Sequence, residues 1–400
     1  MSFFSHIEAV SPDLIFGLQA AFNADPRPFK VNLSVGVYKD EHLKTPILDC
    51  VKKAELELFE LEKTKAYLPI DGDSVFIDHA ALLVLGEHLF KSLEDVICGA
   101  QVAGGTAALR IGAEFLKEEA YSPIFIPRPT WPNHEAVFKR AGMKVEHYPY
   151  YDEELHKVNF ASLYAFLEKI PAKSVVLLHA SCHNPTGSDL TLEEWDKLSD
   201  LFLEKSLLPF FDNAYQGFGK GLEEDAKPMR LFAAKGHEML IASSFSKNFS
   251  LYAERIAALF ILTKSPTAKH AVATKVKRVI RTLYSNPPLH GAHIISHILG
   301  SKELKMLWEN ELGMMRSRVN SMRREFGESL NAKSKKTDFG FLLDKVGLFS
   351  FLGITSSQVK RLTSEYGIYM TADARISVAG LNTFNLNYVV DAIISVTEKP

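Results

Sequence analysis

Two polar side chains that could do chemistry follow apolar runs near the middle of the chain. Asp212 ends Leu207-Leu-Pro-Phe-Phe-Asp212, and Lys247 stands in Ser244-Phe-Ser-Lys247, after another apolar run. A carboxylate at the carboxyl end of a parallel strand faces the ligand crevice of an α/β sheet. A partly desolvated lysine can form a Schiff base. Taken singly, each residue has a more common explanation, a turn aspartate and a solvated surface lysine.

Two segments rich in glycine and small polar residues also follow apolar runs. In Ala103-Gly-Gly-Thr106, backbone N–H groups and a hydroxyl at the start of a predicted helix would suit a phosphate. The segment matches neither common nucleotide-binding glycine pattern, and a plain Gly-Gly turn also explains it. In Asn184-Pro-Thr-Gly187, a sharp turn could direct the asparagine side chain toward the same region.

A metal site is the main alternative from another class of chemistry. His179, Cys182 and His183 are residue types that bind zinc. Histidines four residues apart share a face only on a helix, whereas this segment is predicted to be a strand that enters a proline turn. The sequence shows no second cluster of this kind, so we predict no metal.

The elements that would position these residues alternate along the chain. Helices are predicted between apolar strands, the clearest at 191–205, where Thr191 and Glu194 have the spacing of a capping box. A long helix is predicted from about 302 to 330. The predicted strands are near-continuous apolar runs, typical of a parallel sheet covered on both faces. These runs are 95–99, 122–127, 174–180, 208–212, 239–245 and 258–262. The predicted fold class is α/β with an appended α+β unit.

The composition excludes several classes of protein. The 400 residues include 46 Lys+Arg and 48 Asp+Glu, a net charge of −2, so bulk electrostatic binding to nucleic acid is disfavoured. No apolar run suits a membrane span, and the N-terminus lacks the pattern of a secretory signal. Three scattered cysteines do not form a disulfide framework. We expect a cytoplasmic protein.

The order and spacing of the segments are more specific than any one of them. Lys247 is followed by Arg255, with Asn184 and Asp212-x-x-Tyr215 upstream. In this order the chain resembles the class I pyridoxal-phosphate aminotransferases, and more narrowly the aspartate aminotransferases of the aspartate/aromatic subgroup. Other similar stretches are Val31-Asn-Leu-Ser-Val-Gly-Val-Tyr-Lys-Asp40, Thr130-Trp-Pro-Asn-His134 and Tyr284-Ser-Asn-Pro-Pro288.

The resemblance implies a fold and an assembly. The fold would be type I of the pyridoxal-phosphate enzymes, a mostly parallel central sheet with helices on both faces plus a smaller α+β domain. Residues 45–310 would form the large cofactor-binding domain. Residues 1–44 and 311–400 would form the small domain. Tyr67 matches a tyrosine that reaches the cofactor phosphate of the neighbouring subunit, which implies a homodimer with shared active sites.

The resemblance also assigns contacts to pyridoxal 5′-phosphate. Lys247 would form the Schiff base and then shuttle a proton. Asp212 would keep the pyridine nitrogen protonated, so that the ring accepts electrons. Tyr215 and Asn184 would contact the phenolic oxygen. Trp131 would stack on the face of the cofactor ring, and His134 would support Asp212 from behind. The residues that would hold the phosphate are Gly105, Thr106, Ser244 and Arg255.

The same resemblance implies that two arginines recognise the substrate. Arg375 would bind the α-carboxylate, assisted by Asn184 and by the backbone near Gly36. Arg281 from the other subunit would bind the side-chain carboxylate, which favours dicarboxylic substrates. The implied reaction is L-aspartate plus 2-oxoglutarate to oxaloacetate plus L-glutamate, by a ping-pong mechanism.

Three residues depart from the family pattern, and alternatives to an aspartate aminotransferase activity therefore remain open. They are Ser34, Ala257 and Leu283, and Leu283 stands beside Arg281 where a polar residue is frequent. A broader aromatic aminotransferase, acting on Phe and Tyr as well as dicarboxylates, is therefore the alternative. A β-lyase or decarboxylase could use the same fold. A cofactor-binding regulator would need a basic DNA-binding domain, which the sequence lacks.

Overall fold

The computed structural model describes residues 2–9 and 14–398. Its strands are β1 (Val31–Asn32), β2 (Ile97–Val102), β3 (Ile124–Arg128), β4 (Val145–Pro149), β5 (Tyr151–Asp152), β6 (Lys157–Val158), β7 (Val175–His179), β8 (Leu208–Asn213), β9 (Met239–Ser244), β10 (Ala257–Leu262), β11 (Phe349–Phe351), β12 (Ile368–Tyr369) and β13 (Arg375–Ser377). Its α-helices are α1 (Leu14–Ala24), α2 (Asp49–Leu61), α3 (Ser74–Leu85), α4 (Glu87–Leu93), α5 (Gly105–Glu118), α6 (Asn133–Arg140), α7 (Phe160–Leu167), α8 (Leu192–Lys205), α9 (Leu222–Ala234), α10 (Pro266–Leu283), α11 (His290–Gly300), α12 (Lys302–Lys333), α13 (Ser356–Tyr366) and α14 (Leu386–Glu398).

Seven strands form the central sheet in the order β2-β10-β9-β8-β7-β3-β4. Strands β4, β3, β7, β8 and β9 pair in parallel, whereas β10 is antiparallel to both of its neighbours. Every residue of β7, β9 and β10 is buried, which explains their continuous apolar sequences. The predicted α/β class with a mostly parallel sheet is confirmed.

The six predicted strands correspond to β2, β3, β7, β8, β9 and β10. The ends of the first are wrong, because the strand runs over Ile97–Val102 rather than 95–99. The prediction missed the edge strand β4, whose half-buried residues include Glu146 and His147 and do not form an apolar run. Register places Asp212 opposite His179 on the neighbouring strand. Parallel pairing therefore gathers the predicted polar residues at one edge of the sheet.

Two predicted helices are confirmed and help to hold this edge in place. Thr191 caps α8, accepting from the Glu194 amide at 3.2 Å, while the Glu194 carboxylate accepts from the Thr191 amide at 2.8 Å. In α12, Trp308 is fully buried, and its Nε1 donates to the Asn248 carbonyl at 2.8 Å. The Phe249 ring stacks on Trp308 at 4.3 Å between centroids. The long helix therefore fixes the loop that follows β9.

One small sheet joins the N-terminal and C-terminal parts of the chain, and a second lies within the C-terminal part. Strand β1 pairs in parallel with β12, and β11 pairs with β13. Arg375 opens β13 directly opposite Phe351. Of the helices in the described ranges, none is both long and apolar enough to cross a membrane.

Candidate active site

A cavity of about 490 Å³ lies at the carboxyl ends of the parallel strands. Strand β8 brings Asp212 to it, β9 brings Ser244, and the turn after β7 brings Asn184. Most of the residues that the sequence predicted lie together in its lining. These are Gly36, Gly105, Thr106, Trp131, Asn184, Asp212, Tyr215, Ser244, Lys247, Arg255 and Arg375.

Asp212 lies at the base of a buried hydrogen-bonded chain. Its Oδ2 is 3.0 Å from Nε2 of His134, whose Nδ1 is 2.8 Å from the Thr130 hydroxyl. The same hydroxyl is 3.1 Å from Nε2 of His179. Burial disfavours the charged carboxylate, but the hydrogen bond and charge of His134, together with the charges of His179 and Lys247, outweigh it, so the pKa of Asp212 is lowered. Asp212 is therefore an anion that can pair with a protonated ring nitrogen.

Lys247 presents its amine to the cavity above Tyr215. The Nζ atom lies 5.0 Å from the centroid of the Tyr215 ring. Loss of water around the amine lowers the pKa of Lys247; the charge of Asp212 opposes this shift and that of Arg255 adds to it. Burial raises the pKa of Tyr215, which keeps its hydroxyl protonated as a donor. A lysine with a lowered pKa is more often neutral, the form that attacks a carbonyl carbon.

The start of α5 and Arg255 form a cradle for an anion. The helix begins at Gly105 without a side-chain cap and without an acidic residue in its first turn. Arg255 donates to the Tyr252 carbonyl at 3.2 Å and to the Ser246 hydroxyl at 3.4 Å. Within the described ranges it pairs with no carboxylate. A Cβ atom on Gly104, which has φ +87, would collide with the Arg255 guanidinium. These residues fit a phosphate dianion.

Arg375 provides a second anion site in the same cavity. Its side chain is 3% exposed and lies over the Phe349 ring, 4.5 Å from the centroid. Its Nη2 donates to the Ser34 carbonyl at 2.8 Å and its Nη1 to Oδ1 of Asn184 at 3.3 Å. Nε has no hydrogen-bond partner in the part of the chain that the structure describes. Burial lowers the pKa of Arg375, so a carboxylate ligand would relieve an unfavourably buried charge.

Three predicted residues lie outside the cavity lining. His134 lies behind Asp212, in contact with its carboxylate. Tyr67 is 92% exposed. Arg281 is also exposed, and its Nη1 donates to the Ser285 hydroxyl. One chain alone therefore brings neither Tyr67 nor Arg281 into this cavity.

Other residues of the site escaped the sequence analysis. Phe349 and Ser246 line the cavity, and Thr130 links His134 to His179. Ser246 stands beside Lys247 and could have been found from the same segment. Phe349 lies in an apolar stretch and gives no signal that separates it from the core. Across residues 2–9 and 14–398, no group of three His, Cys, Asp or Glu side chains is arranged to hold a metal ion.

The sequence profile described as aminotransferase class I and II matches residues 28–393. The chain belongs to this family. Relatives of the aminotransferase extend over its full length. The aspartate aminotransferase of Pseudomonas aeruginosa is 46% identical over 397 residues, covering 99% of this chain and 100% of the relative. That of Escherichia coli is 45% identical over 394 residues, covering 98% and 100%.

Solved structures match the aminotransferase equally well. An aromatic-amino-acid aminotransferase from Burkholderia pseudomallei, covalently bound to pyridoxal phosphate, superposes with a TM-score of 0.95 and 46% identity, covering 99% of this chain and 100% of that one. A mitochondrial aspartate aminotransferase from Trypanosoma brucei has a TM-score of 0.91 and 38% identity, covering 95% and 100%. These findings confirm the predicted class I aminotransferase, its type I fold and its cofactor, pyridoxal phosphate.

Proposed function

We propose that this aminotransferase transfers the amino group of L-aspartate to 2-oxoglutarate by a ping-pong mechanism, giving oxaloacetate and L-glutamate. The observation that carries the proposal is Arg375, 3% exposed and without a carboxylate partner in the described ranges, in the same cavity as Lys247. A buried guanidinium without a counter-ion is costly, and the α-carboxylate of an amino acid would provide one. The curated relatives named as aspartate aminotransferases support this choice of substrate.

Specific residues would hold the cofactor in the cavity. When bound, pyridoxal phosphate supplies a carbonyl carbon for the amine and a ring that accepts electrons. Asp212 would pair with the ring nitrogen, while Tyr215 and Asn184 would donate hydrogen bonds to the ring oxygen. Trp131 would lie against the ring face. The phosphate would be held by Gly105, Thr106, Ser244 and Arg255.

Lys247 is the proposed proton carrier of the reaction. Its lowered pKa favours the neutral amine, which can take a proton from Cα of the substrate. The lowered pKa of Asp212, to which His134 contributes most, favours the carboxylate. Asp212 would thereby keep the nitrogen of a bound ring protonated, so that the ring could accept electrons.

We propose that the second cationic side chain that binds the substrate comes from a second copy of the chain. Arg281 and Tyr67 are exposed and lie outside the cavity of their own chain. In the proposed homodimer, Arg281 of the partner subunit binds the side-chain carboxylate of the substrate, and Tyr67 of the partner subunit reaches the cofactor phosphate. A fork-shaped cation at this position selects a dicarboxylic substrate.

The proposed small domain consists of 1–44 and 311–400, and the large domain of 45–310. The pairing of β1 with β12 supports this division, because it joins residues 31–32 to residues 368–369. Arg375 would then approach Lys247 as the small domain closes on the substrate, which excludes water.

The proposed location is the cytoplasm. Cys50, Cys98 and Cys182 are free and buried in the structure. Unpaired thiols are usual in a reducing compartment.

One observation favours a broader aromatic aminotransferase. Leu283 is 40% exposed and stands two positions after Arg281, where its apolar side chain would suit an aromatic substrate. The structural neighbour from Burkholderia pseudomallei also carries the name of an aromatic-amino-acid aminotransferase.

Initial rates with L-aspartate, L-phenylalanine and L-tyrosine test the proposal, with 2-oxoglutarate as acceptor. We expect the highest kcat/KM for aspartate. Arg281→Ala should lower the kcat/KM for aspartate, by an amount that corresponds to a loss of about 2–5 kcal/mol in transition-state stabilisation. The same substitution should lower the kcat/KM for phenylalanine far less. Arg278→Ala is the control, because Arg278 is an exposed arginine of the same helix that pairs with Glu118. Higher kcat/KM for phenylalanine than for aspartate would favour the aromatic alternative, and equal losses in Arg281→Ala would remove this residue from specificity.

A further inference from the structure

A second cavity, of about 510 Å³, is lined mainly by charged side chains and lies outside the active site. We name it the basic cleft. It is formed by the loop after β8, one face of α12 and the segment before β11. Its cations are Lys220, Arg316, Arg323, Arg324 and Lys345, and its anions are Glu328 and Asp344. The lining therefore has an excess of positive charge in a volume that suits a small ligand.

The cations of the basic cleft have no carboxylate partners within the described ranges. Arg323 is 3% exposed, and its guanidinium donates only to neutral oxygens: the Gly347 carbonyl, Oδ1 of Asn320 at 3.2 Å and the Ser350 hydroxyl at 3.5 Å. Arg316 donates to the Gly217 carbonyl at 3.0 Å. The structure describes no side-chain hydrogen bond for Lys220 or Arg324. A buried guanidinium with only neutral partners lacks the counter-charge that usually accompanies it.

The nearby carboxylates leave the cleft with an excess of positive charge: Glu328 and Asp344 line it but form no salt bridge with its cations in the described ranges. Asp225 lies close to the loop, but its carboxylate already accepts backbone N–H groups from Gly217, Gly219 and Lys220 at 2.8–2.9 Å. Burial lowers the pKa of Arg323 to about 10, which reflects the cost of holding this charge away from water. Lys345 differs from the others, because its amine is held by the His156 carbonyl and the Ser188 hydroxyl. It adds positive charge to the cleft rather than a free donor.

We propose that the basic cleft binds a compact polyanion, a small molecule with two or more carboxylate or phosphate groups. Arg316, Arg323 and Arg324 offer guanidinium donors suited to such oxyanions, and Lys220 adds a flexible ammonium from the loop after β8. The position gives this site a link to the active site. Arg316 holds the carbonyl of Gly217, two residues after Tyr215, and Arg323 holds that of Gly347, two residues before Phe349. The two rings meet edge to face at 5.9 Å in the wall of the catalytic cavity.

Isothermal titration calorimetry of the holoenzyme with citrate and, separately, with inorganic pyrophosphate tests the proposal. The two probes distinguish a carboxylate from a phosphate ligand, and saturable binding of either at one site per chain supports the cleft. Lys220→Gln and Arg324→Gln should each weaken binding about tenfold, since each removes one charged donor. Both side chains are exposed, so these variants should fold.

Controls separate the cleft from general charge and from the active site. Lys360→Gln and Arg140→Gln remove exposed cations of the same types from α13 and from the end of α6, and they should leave the affinity unchanged. Arg375→Gln disables the active-site cation and should also leave it unchanged. The proposal is overturned if neither probe binds saturably, if binding survives in the Lys220→Gln, Arg324→Gln double variant, or if Arg375→Gln abolishes it.

Discussion

Nε2 of His134 lies 3.0 Å from Oδ2 of Asp212, behind the lining of the catalytic cavity, and this contact favours the charged form of the carboxylate. Asp212 is buried, which by itself would favour the neutral acid. The hydrogen bond and charge of His134, with smaller effects of the His179 and Lys247 charges, outweigh burial and lower the pKa of Asp212. His134 is thus a positioning residue that acts on the reaction through Asp212.

Replacing His134 by asparagine should change the pH dependence of the enzyme. Without the imidazole, only the smaller effects of the His179 and Lys247 charges oppose burial, so the pKa of Asp212 should rise. The carboxylate is then protonated at a higher pH, so the acid limb of the kcat/KM profile should move upward. His88→Asn, on the exposed helix α4, is the control. A profile whose acid limb stays in place would show that His134 does not set this charge.

Replacing Lys247 by alanine should abolish turnover without abolishing cofactor binding. The proton carrier is lost, whereas Arg255, Ser244 and the start of α5 remain to hold the phosphate. Turnover assays and cofactor retained after dialysis measure the two effects separately. Substantial turnover in this variant would contradict the role proposed for Lys247.

Gly104→Ala should weaken cofactor binding by displacing Arg255. Its Cβ would occupy the position of the guanidinium, and losing that charged contact should cost about 1.5–3 kcal/mol in binding free energy. Fluorescence titration of the apoprotein with pyridoxal phosphate measures the affinity. Gly142→Ala is a matched control, because Gly142 has φ +81 but the nearest atom to the added Cβ is Cε of Lys117, at an ordinary contact distance of 3.7 Å. Equal effects of the two substitutions would mean that backbone strain, and not Arg255, is responsible.

Mixing two inactive variants should restore activity if the sites are shared. In a heterodimer of Lys247→Ala and Arg281→Ala chains, one site carries both defects and the other carries neither. Random reassociation should therefore give about a quarter of wild-type activity on aspartate, because half of the dimers have one intact site. Activity equal to the mean of the two parents would place Arg281 in the site of its own chain.

The sequence was sufficient to predict the site residues that lie at the end of a strand or at the start of a helix. Asp212 and Gly105 could be predicted because parallel strands share one carboxyl edge and a glycine opens a helix. The antiparallel direction of β10 could not be predicted, because a buried strand has the same apolar sequence pattern in parallel and in antiparallel pairing. His179 was considered only as a metal ligand. The Thr130 hydroxyl that links it to His134 becomes visible only when β3 and β7 are neighbours.

Arg281 and Tyr67 show another limit of the sequence. Nothing in an exposed basic helix or an exposed tyrosine points to a site, and the family resemblance alone singled them out. Phe349 shows the opposite case, because it lines the cavity yet lies in a stretch that reads as core.

A single half-reaction tests the central claim most directly. Holoenzyme is mixed with L-aspartate in the absence of any oxo acid acceptor, and the released oxo acid is quantified per chain. We predict that the holoenzyme releases one equivalent of oxaloacetate per chain and releases no more until 2-oxoglutarate is added. Absence of oxaloacetate, or its replacement by pyruvate or CO₂, would contradict it.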